Sequence, residues 1–513
     1  MSIMRHTVSA LGHILIAFGV IILSPIAVAL IETEYFAVIP FASSSLICVG
    51  IGLIFRKLGR NTTNYDKLKR SEGMLIVCLT WITCAAMGAV PYLFYGLSPL
   101  DAYFEAMSGI TTTGATILLD FSLYPKSFFF WRSLTQWLGG MGIIVLFVAI
   151  LPQFKIAGRQ MFFAEAPGPT EDRVTPRITH TAKALWLVYI GLTMAEIMLL
   201  IMTGMAPFDA VCNSFSTLAA GGFSPHPQSI MGYQNTAATW IITVFMLLAG
   251  ANFALQYRAI TRRNPMILCG NEEFRGYLLI ILSAAGCLLL TLLFSGKSDL
   301  LDGLRDSLFQ IVSLITTTGF ASTDFALWAV PSQVVLVSMM LIGGCAGSAG
   351  GGIKVVRILV WAKYLKREIL QTIYPSAVRP LKLDHKVVPD PIQRQILGFL
   401  LFYLLLSIVS SLLVTALEGD GVVGVVGTFA TIGNIGPGLG QIGPMNSFGA
   451  LSVPTKIILI INMVVGRLEI IPFVAMLHPK FWKLATGAQV MLDRQVPSPP
   501  QRRAGVDYSV QNR

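Results

Sequence analysis

Long apolar runs without charged residues alternate with short polar or glycine-rich segments along most of the chain. A helix of about 20 apolar residues crosses roughly 30 Å of hydrocarbon, so the pattern predicts an all-α polytopic membrane protein. The connections are too short to hold a soluble domain. The candidate spans are roughly residues 8–31, 35–56, 72–96, 129–152, 180–204, 236–257, 274–295, 331–362, 394–416 and 453–477.

Four short segments between these spans align without a gap, and each runs from an aspartate to a glycine. They are DAYFEAMSGITTTG (101–114), DAVCNSFSTLAAGG (209–222), DSLFQIVSLITTTG (306–319) and DGVVGVVGTFATIG (420–433). The order span, short segment, span therefore occurs four times. It divides the chain into two N-terminal transmembrane helices (1–70), four pore repeats (71–155, 178–258, 272–368 and 392–480) and a tail (481–513).

The apolar part of each short segment predicts a helix of about ten residues, which spans about 15 Å or half a bilayer. The leading aspartates, Asp101, Asp209, Asp306 and Asp420, suit the N-cap position. The helix C-terminus, with its partial negative charge, then points into the membrane. Because all four segments enter from one side, the repeats are predicted to be related by an axis along the membrane normal. We expect pseudo-fourfold symmetry around one pore.

A glycine after each helix lets the chain reverse and run back with its carbonyls towards that axis. A ring of carbonyls can replace the hydration shell of a cation. The predicted filter residues are Thr111, Thr112, Thr113 and Gly114; Ala220, Gly221 and Gly222; Thr316, Thr317, Thr318 and Gly319; and Thr431, Ile432, Gly433 and Asn434. The paired glycines leave the register of the second repeat open by one residue. Asp120 and Asp324, shortly after two of the glycines, either concentrate cations at the outer mouth or are solvated turns.

Only 12% of the residues are charged, mean hydropathy is +0.70 and the net charge is +11. The basic residues cluster at 56–70, 258–275, 354–386 and after 480, beside the spans. The positive-inside rule accounts for them without nucleic-acid binding and predicts that both termini are cytoplasmic.

An enzyme is disfavoured by the absence of paired intramembrane carboxylates, of an HExxH motif and of a nucleophile with a nearby base. Nor does the chain contain a nucleotide-binding fingerprint. We therefore expect no organic cofactor in this chain, and any nucleotide response would come from a partner.

A glycine run interrupts the predicted span 331–362 and indicates a gate. The run covers residues 343–354; six of these twelve residues are glycine, and the last is a lysine. The predicted gate residues are Gly343, Gly344, Gly347, Gly350, Gly351, Gly352 and Lys354. Such a run should unwind a helix, and a flexible loop below a filter can obstruct the pathway. The alternative is close packing of helices against small residues.

Arg467 lies in the middle of the last predicted span. A charge there costs about 3 kcal/mol unless it faces the protein interior or water. We expect its partners to be carbonyls or waters on the pathway, including those of the glycine run. There a fixed cation would slow potassium from inside or hold the loop closed, so Arg467 is a further predicted gate residue. The alternative is an ion pair with another span.

These motifs together resemble the membrane subunit of bacterial Trk-type potassium uptake systems, within the Trk/Ktr/HKT superfamily. The resemblance covers almost the whole chain, including the two extra N-terminal spans. It rests on TTTGAT (111–116), AAGGFS (219–224), TTTGFAS (316–322), ATIGNIGPGLG (430–440), WLGGMGI (137–143), GGCAGSAGGGIK (343–354) and GRLE (466–469).

The resemblance implies potassium uptake by a homodimer with one pore per subunit in the bacterial inner membrane. It also implies a cytosolic ring of RCK/KTN-type nucleotide-binding subunits. The family's filter glycines map to Gly114, Gly222, Gly319 and Gly433, and its pore arginine maps to Arg467. Relatives that favour sodium often carry serine at the position of Gly114. The implied K⁺ ligands are Thr112, Thr113, Gly114, Gly222, Thr317, Thr318, Gly319, Ile432 and Gly433. An ion-coupled symporter driven by Na⁺ or H⁺ is the alternative.

Overall fold

The structure is a computed structural model that describes residues 2–59, 70–150, 178–296, 299–376 and 379–468, with isolated residues between 473 and 482. Nearly all of the predicted tail, 481–513, lies outside these residues. The described part is helical except for connecting segments and a two-stranded antiparallel hairpin, β1 (Lys382–Leu383) with β2 (Lys386–Val387). The predicted all-α class is confirmed.

Three helices precede the repeats: α1 (Ser2–Ile21), α2 (Ser24–Ile31) and α3 (Val38–Leu58). The first two form one apolar span, His6–Ile31, and the third lies in a second, Tyr35–Leu58. Small residues let α1 and α3 approach closely, since the Ser45 hydroxyl donates to the carbonyl O of Gly19 at 2.7 Å. The two extra N-terminal spans are therefore confirmed.

The rest of the described chain repeats one order of elements four times. The first helices are α4 (Arg70–Leu93), α7 (Ile178–Met202), α12 (Glu272–Phe294) and α16 (Asp390–Glu418). The short helices are α5 (Pro99–Ile110), α8 (Pro207–Leu218), α13 (Leu300–Ile315) and α17 (Gly421–Ile432). The second helices are α6 (Lys126–Ile150), the pair α9 (Thr236–Ala249) and α10 (Phe253–Thr261), the pair α14 (Val330–Met339) and α15 (Val355–Ile373), and α18 (Val453–Arg467). A further short helix, α11 (Met266–Gly270), joins the second and third repeats.

Membrane-length helices are fewer than the ten predicted spans. Among the described residues, six helices are long and apolar enough to cross a membrane, or seven if one bent pair counts as a span. The six include the first helix of every repeat. The second helices of repeats one and four run into residues that the structure does not describe, so those two crossings stay predictions.

The predicted span 236–257 is wrong as a continuous helix, because the helical direction bends by 102° between α9 and α10. The helix ends at Ala249, and Asn252 begins the next one by accepting a hydrogen bond from the N–H of Leu255 at 3.0 Å. A polar cap within an apolar run was the sequence signal for this bend.

All four aspartates of the short helices are predicted to be N-caps, but they occupy different positions in their helices. Only Asp420 is an N-cap, accepting from the N–H groups of Val422 and Val423 at 2.7 and 3.3 Å. Asp101 and Asp209 lie at the third position of helices that begin at a proline. Asp306 lies in the middle of α13, which begins earlier, at Leu300.

The short helices form the centre of the molecule, and the long helices surround them. Most residues of α5, α8, α13 and α17 are buried. The long helices keep apolar side chains on the outside; Leu279 and Leu401, for example, are 69% and 68% exposed. Such an apolar outer face suits contact with lipid.

Candidate ion-conducting site

Each short helix ends in a turn with the same backbone conformation. We call residues 111–114, 219–222, 316–319 and 433–436 the filter turns. In each, the second residue has a positive φ although it is not glycine: Thr112 (52°), Ala220 (55°), Thr317 (59°) and Asn434 (54°). Two residues later a glycine again has positive φ: Gly114 (79°), Gly222 (77°), Gly319 (80°) and Gly436 (100°). Left-handed non-glycine residues are uncommon and often mark functional sites.

In the fourth turn the glycine that corresponds to Gly114 is Gly436, so the predicted equivalence of Gly433 with Gly114 is wrong by three residues. Gly433 has φ −73° and directly follows the last residue of α17, the place that Thr111 has in the first turn. The gapless alignment failed because α17 begins after Asp420, whereas α5 begins two residues before Asp101. The shift also places Thr431 and Ile432 at the end of α17 rather than in the turn.

The second turn shows which of its two glycines corresponds to Gly114, a choice that the sequence left open. Gly222 has the positive φ, and Gly221 precedes it as Thr113 precedes Gly114.

The four filter turns contact one another in cyclic order. A Cβ atom added to Gly114 would lie 2.1 Å from the carbonyl O of Gly221. The corresponding distances are 2.0 Å from Gly222 to Thr318 O, 1.8 Å from Gly319 to Ile435 O, and 2.6 Å from Gly436 to Thr113 O. Only glycine permits such approaches, and the fourth contact closes a ring.

Two amide side chains brace this ring. Gln136 on α6 donates to the carbonyl O of Gly221 at 2.6 Å and accepts from the N–H of Phe223 at 3.0 Å. Asn434 donates to the Thr113 hydroxyl at 2.9 Å and to the carbonyl O of Met463 at 3.0 Å. The first bond of Asn434 joins the fourth turn to the first. Neither brace was predicted.

A buried ion pair behind the first two turns was also missed. Arg132 and Glu105 are 1% and 0% exposed, with Nε 2.7 Å from the carboxylate. Glu105 accepts from the N–H of Ile117 at 2.9 Å, and the Arg132 guanidinium lies 4.0 Å from the ring centre of Phe223. The pair therefore links the segment that follows the first turn to the segment that follows the second. The sequence signal for this ion pair was the presence of two opposite charges within apolar segments.

On one side, the ring opens into a cavity lined by residues from all four turns or the residues directly after them. These residues include Gly114, Gly222, Gly319 and Pro437. Neither Asp120 nor Asp324 lines this cavity.

Those two aspartates cap short turns instead. Asp120 accepts from the hydroxyl and the N–H of Ser122, which hold the pKa of the Asp120 carboxyl below its ordinary value. Asp324 accepts from the N–H of Ala326 at 3.1 Å. These contacts support the interpretation of both residues as acidic turns.

On the opposite side of the ring lies the glycine run, which we call the gate loop (Gly343–Lys354). It is not helical: α14 ends at Met339 and α15 begins at Val355, as the glycine content predicted. Its two limbs are joined by bonds from the N–H of Gly343 to Ile353 O at 2.8 Å and from the N–H of Val355 to Gly344 O at 3.1 Å. The loop is thus an ordered structure with defined contacts.

The tip of the gate loop touches the third and fourth filter turns. The N–H of Gly351 donates to the Thr317 hydroxyl at 2.7 Å. A Cβ atom on Gly351 would lie 2.6 Å from the carbonyl O of Gly433, and one on Gly350 would lie 2.8 Å from that of Thr316. The Lys354 ammonium donates back to the carbonyl O of Gly350.

The bend between α9 and α10 receives the same loop. The N–H of Cys345 donates to the carbonyl O of Gly250 at 2.8 Å, and that of Ala349 donates to Ala249 O at 3.2 Å. The N–H of Phe253 donates in turn to the carbonyl O of Gly347 at 3.1 Å. The bend frees these backbone groups from the helix, so it serves as a docking edge.

Arg467 is 4% exposed and reaches the loop from α18. Its guanidinium donates to the carbonyl O of Ala349 at 2.9 Å and to that of Gly139 at 3.3 Å, and lies 5.8 Å from the ring centre of Trp81. The partners are of the predicted kind, since Ala349 lies in the gate loop. No ion pair joins Arg467 to another residue of the described ranges.

The sequence model of a family described as TrkH, cation transport protein, matches residues 46–484. The chain belongs to the TrkH family. This membership confirms the resemblance to Trk-type membrane subunits and identifies a transport protein rather than an enzyme.

Similar proteins cover the chain almost completely. The Trk system potassium uptake protein TrkH of Vibrio parahaemolyticus is 39% identical over 487 residues, which is 93% of this chain and 99% of the relative. TrkH of Salmonella typhimurium is 38% identical over 484 residues, with the same coverage. TrkG of Escherichia coli is 33% identical over 92% of this chain and 97% of the relative.

The fold also matches a solved structure. The crystal structure of the potassium transporter TrkH from Vibrio parahaemolyticus aligns with a TM-score of 0.85 at 36% identity. The alignment covers 93% of this chain and 99% of the other. The predicted fold class, with four repeats and two extra N-terminal spans, is confirmed.

Proposed function

We propose that the chain carries potassium ions across the bacterial inner membrane through a channel-like pore. The filter turns form its selectivity filter and the gate loop its gate. The observation that carries this proposal is the cyclic close approach of the four filter turns, which brings four backbone segments around one axis. The names of the relatives support potassium as the ion.

In this pore, the ion rests where the C-terminal ends of four buried helices converge. Their partial negative charges favour a cation, and backbone carbonyls replace its water. The K⁺ ligands are Thr112, Thr113, Gly114, Gly222, Thr317, Thr318 and Gly319 as predicted, with Ile435 and Gly436 in place of Ile432 and Gly433.

Two buried side-chain oxygens support ion binding at the gate side of the ring. The Thr112 hydroxyl and the Asn434 amide oxygen have no hydrogen-bond partner among the described residues. A buried polar group without a partner is costly. A partly hydrated K⁺ beside the second residue of each turn would satisfy both oxygens.

The gate loop blocks the pathway directly beneath this position. Its contact with Thr317 and the Arg467 bond to Ala349 hold it there. The fixed charge of Arg467 also repels a potassium ion that approaches along the loop. Conduction then requires the loop tip to move away from the ring.

The assembly follows from the resemblance and the charge pattern. We propose ten crossings with both termini in the cytoplasm, where the basic clusters lie. The chain forms a homodimer in contact with membrane lipids, and a cytosolic nucleotide-binding ring acts on the gate.

Ion flux into vesicles that contain only this purified chain tests the proposal. We expect potassium and rubidium to enter faster than sodium, without a Na⁺ or H⁺ gradient, and single-channel current steps to appear. A variant lacking residues 350–352 provides a pore with an incomplete gate, and it should conduct more. Flux that requires a second ion gradient would establish the symporter instead, and the absence of alkali-ion flux in both proteins would refute the pore.

A further inference from the structure

Glu273 is a buried carboxylate that neither the filter nor the gate prediction includes. It lies in the first turn of α12 and is 2% exposed. Its Oε1 accepts a hydrogen bond from the N–H of Ala346 at 2.7 Å and another from that of Val356 at 3.2 Å. Ala346 belongs to the first limb of the gate loop, and Val356 lies just after its second limb. One carboxylate oxygen therefore fastens both ends of the loop to α12.

This attachment is strong for its size. Hydrogen bonds between buried groups gain strength from the low local dielectric of the protein interior. Val356 lies in the first turn of α15, where the positive end of the helix dipole favours a carboxylate. Ala346 and Val356 are buried, so removing the carboxylate leaves two N–H groups without a partner in an apolar environment.

A β-hairpin (residues 381–388) is fastened to the residues directly before Glu273. The Asp384 carboxylate accepts from the N–H of Glu272 at 2.7 Å and from the side-chain amide of Asn271 at 2.8 Å. The N–H of Asp384 donates back to the Glu272 carboxylate at 3.0 Å. Asn271 is the N-cap of α12. The hairpin thus helps to fix the beginning of the helix that carries Glu273.

Apolar contacts join the same hairpin to the gate loop. Leu381 and Leu383 lie in one buried cluster with Ala346 and Val356, the two residues that donate to Glu273. Displacement of the hairpin would therefore disturb the loop through this cluster and through α12 together.

We propose that Glu273 is a positioning residue that holds the gate loop beneath the filter, and that the β-hairpin controls this hold through Asp384. The inference rests on the proposed function, because it takes the loop as the gate. A bound partner that moves the hairpin would release both limbs of the loop without touching the filter.

Replacement of Glu273 tests the hold. Glu273→Ala should raise potassium flux in vesicles by about tenfold, which corresponds to about 1.4 kcal/mol, since it leaves two buried N–H groups of the closed loop without an acceptor. The potassium-to-sodium ratio and the half-saturating potassium concentration should not change, because the filter is intact. Glu273→Gln keeps an oxygen that accepts both bonds and should remain close to the wild-type flux.

A second readout follows the loop itself. Amide hydrogen exchange at Ala346 and Val356 should be faster in Glu273→Ala and nearly normal in Glu273→Gln.

Asp384→Ala should also raise potassium flux, by a smaller factor than Glu273→Ala, and the flux of the double variant should not exceed that of Glu273→Ala. Glu368→Ala removes an exposed carboxylate on α15 and is the matched control, with no expected change.

The variant lacking residues 350–352 separates the two proposals. In one outcome the deletion raises potassium flux while Glu273→Ala, with an unchanged melting temperature, leaves it at the wild-type level. That result refutes the positioning role of Glu273 and keeps the assignment of residues 343–354 as the gate. If the deletion lowers flux in folded protein, the gate assignment itself fails. If Glu273→Ala does not fold, Asp384→Ala tests the proposal instead. Unchanged potassium flux and unchanged amide exchange at Ala346 and Val356 in that variant would overturn the role of the hairpin.

Discussion

The four filter turns share one backbone conformation although their residues differ, whereas the second helices share a sequence pattern but not a conformation. Threonine, alanine and asparagine all adopt the left-handed position of the turns. The second helices carry the aligned stretches WLGG (137–140), LLAG (247–250), LIGG (341–344) and VVGR (464–467). The first stretch continues as a helix, the second bends, the third unwinds and the fourth ends in an arginine.

The first and fourth of these stretches pack in the same way. A Cβ atom on Gly139 would lie 2.0 Å from the carbonyl O of Ile110, and one on Gly466 would lie 2.0 Å from that of Ile432. Each glycine thus occupies the same place against its own short helix. The next residue is Gly140 in the first repeat and Arg467 in the fourth.

This difference separates two physical requirements. A ring around an ion needs similar geometry from all four sides, so the backbone must repeat while side chains vary. A gate needs only one obstruction, so one helix can unwind while its neighbours supply an edge and a charge that hold it. The following predictions test this division, from the largest expected effect to the smallest.

Gly436→Ala should cause the largest change, a loss of potassium flux of at least about tenfold. The new methyl group would lie 2.6 Å from the carbonyl O of Thr113 at φ 100°, and left-handed strain costs about 1–3 kcal/mol. Gly433→Ala is the comparison and should lose less flux, because Gly433 has an ordinary helical φ and a Cβ atom there would crowd mainly the flexible end of the Ile435 side chain, at 2.9 Å. If Gly433→Ala lost more flux than Gly436→Ala, the equivalence of Gly433 with Gly114 would be correct after all.

Gly114→Ser should lower the potassium-to-sodium permeability ratio several-fold. Its Cβ atom would lie 2.1 Å from the carbonyl O of Gly221, so that carbonyl must move. Bi-ionic reversal potentials measure the ratio. An unchanged ratio in a folded variant would remove Gly114 from the filter.

Arg467→Ala should raise potassium flux several-fold, because it removes both a charge and the bond to Ala349. Arg467→Lys keeps the charge but not the forked pair of donors, so its flux should be intermediate. Vesicle flux with equal protein content compares them. If Lys behaves as Ala, the hydrogen bonds matter and the charge does not; reduced flux in both folded variants would contradict a gating role.

Gln136→Ala should lower the potassium-to-sodium ratio by about twofold, since the bond to Gly221 O is one of several contacts that hold the ring and a single bond contributes about 1 kcal/mol. Gln136→Glu keeps the acceptor for Phe223 but loses the donor to Gly221. Equal ratios in wild type and both variants would show that the brace is not needed for selectivity.

Asp120→Ala should leave potassium flux unchanged within about 20%, since an exposed turn residue away from the site usually has little effect. Its carboxylate caps the turn at Ser122 and does not line the cavity. Measurement at low ionic strength is the sharpest condition, because screening is weakest there. A marked fall in flux under that condition would restore its role as a cation attractor.

The sequence alone predicted the repeats, the short helices and the unwound glycine run, because apolar length and glycine content act locally. It misplaced the fourth filter glycine, since the aspartate used as the anchor starts α17 but lies inside the other short helices. The brace of Gln136 and the bonds of Glu273 to the gate loop depend on contacts with residues more than 70 positions away. Such partners follow from packing, which a local pattern does not encode.

The central claim is that the four filter turns surround a single cation. Anomalous diffraction from crystals soaked in rubidium tests it most directly. We predict a peak on the axis enclosed by Gly114, Gly222, Gly319 and Gly436, which disappears in Gly436→Ala crystals. Rubidium found only elsewhere, or a ring without any peak in crystals that diffract well, would contradict the account.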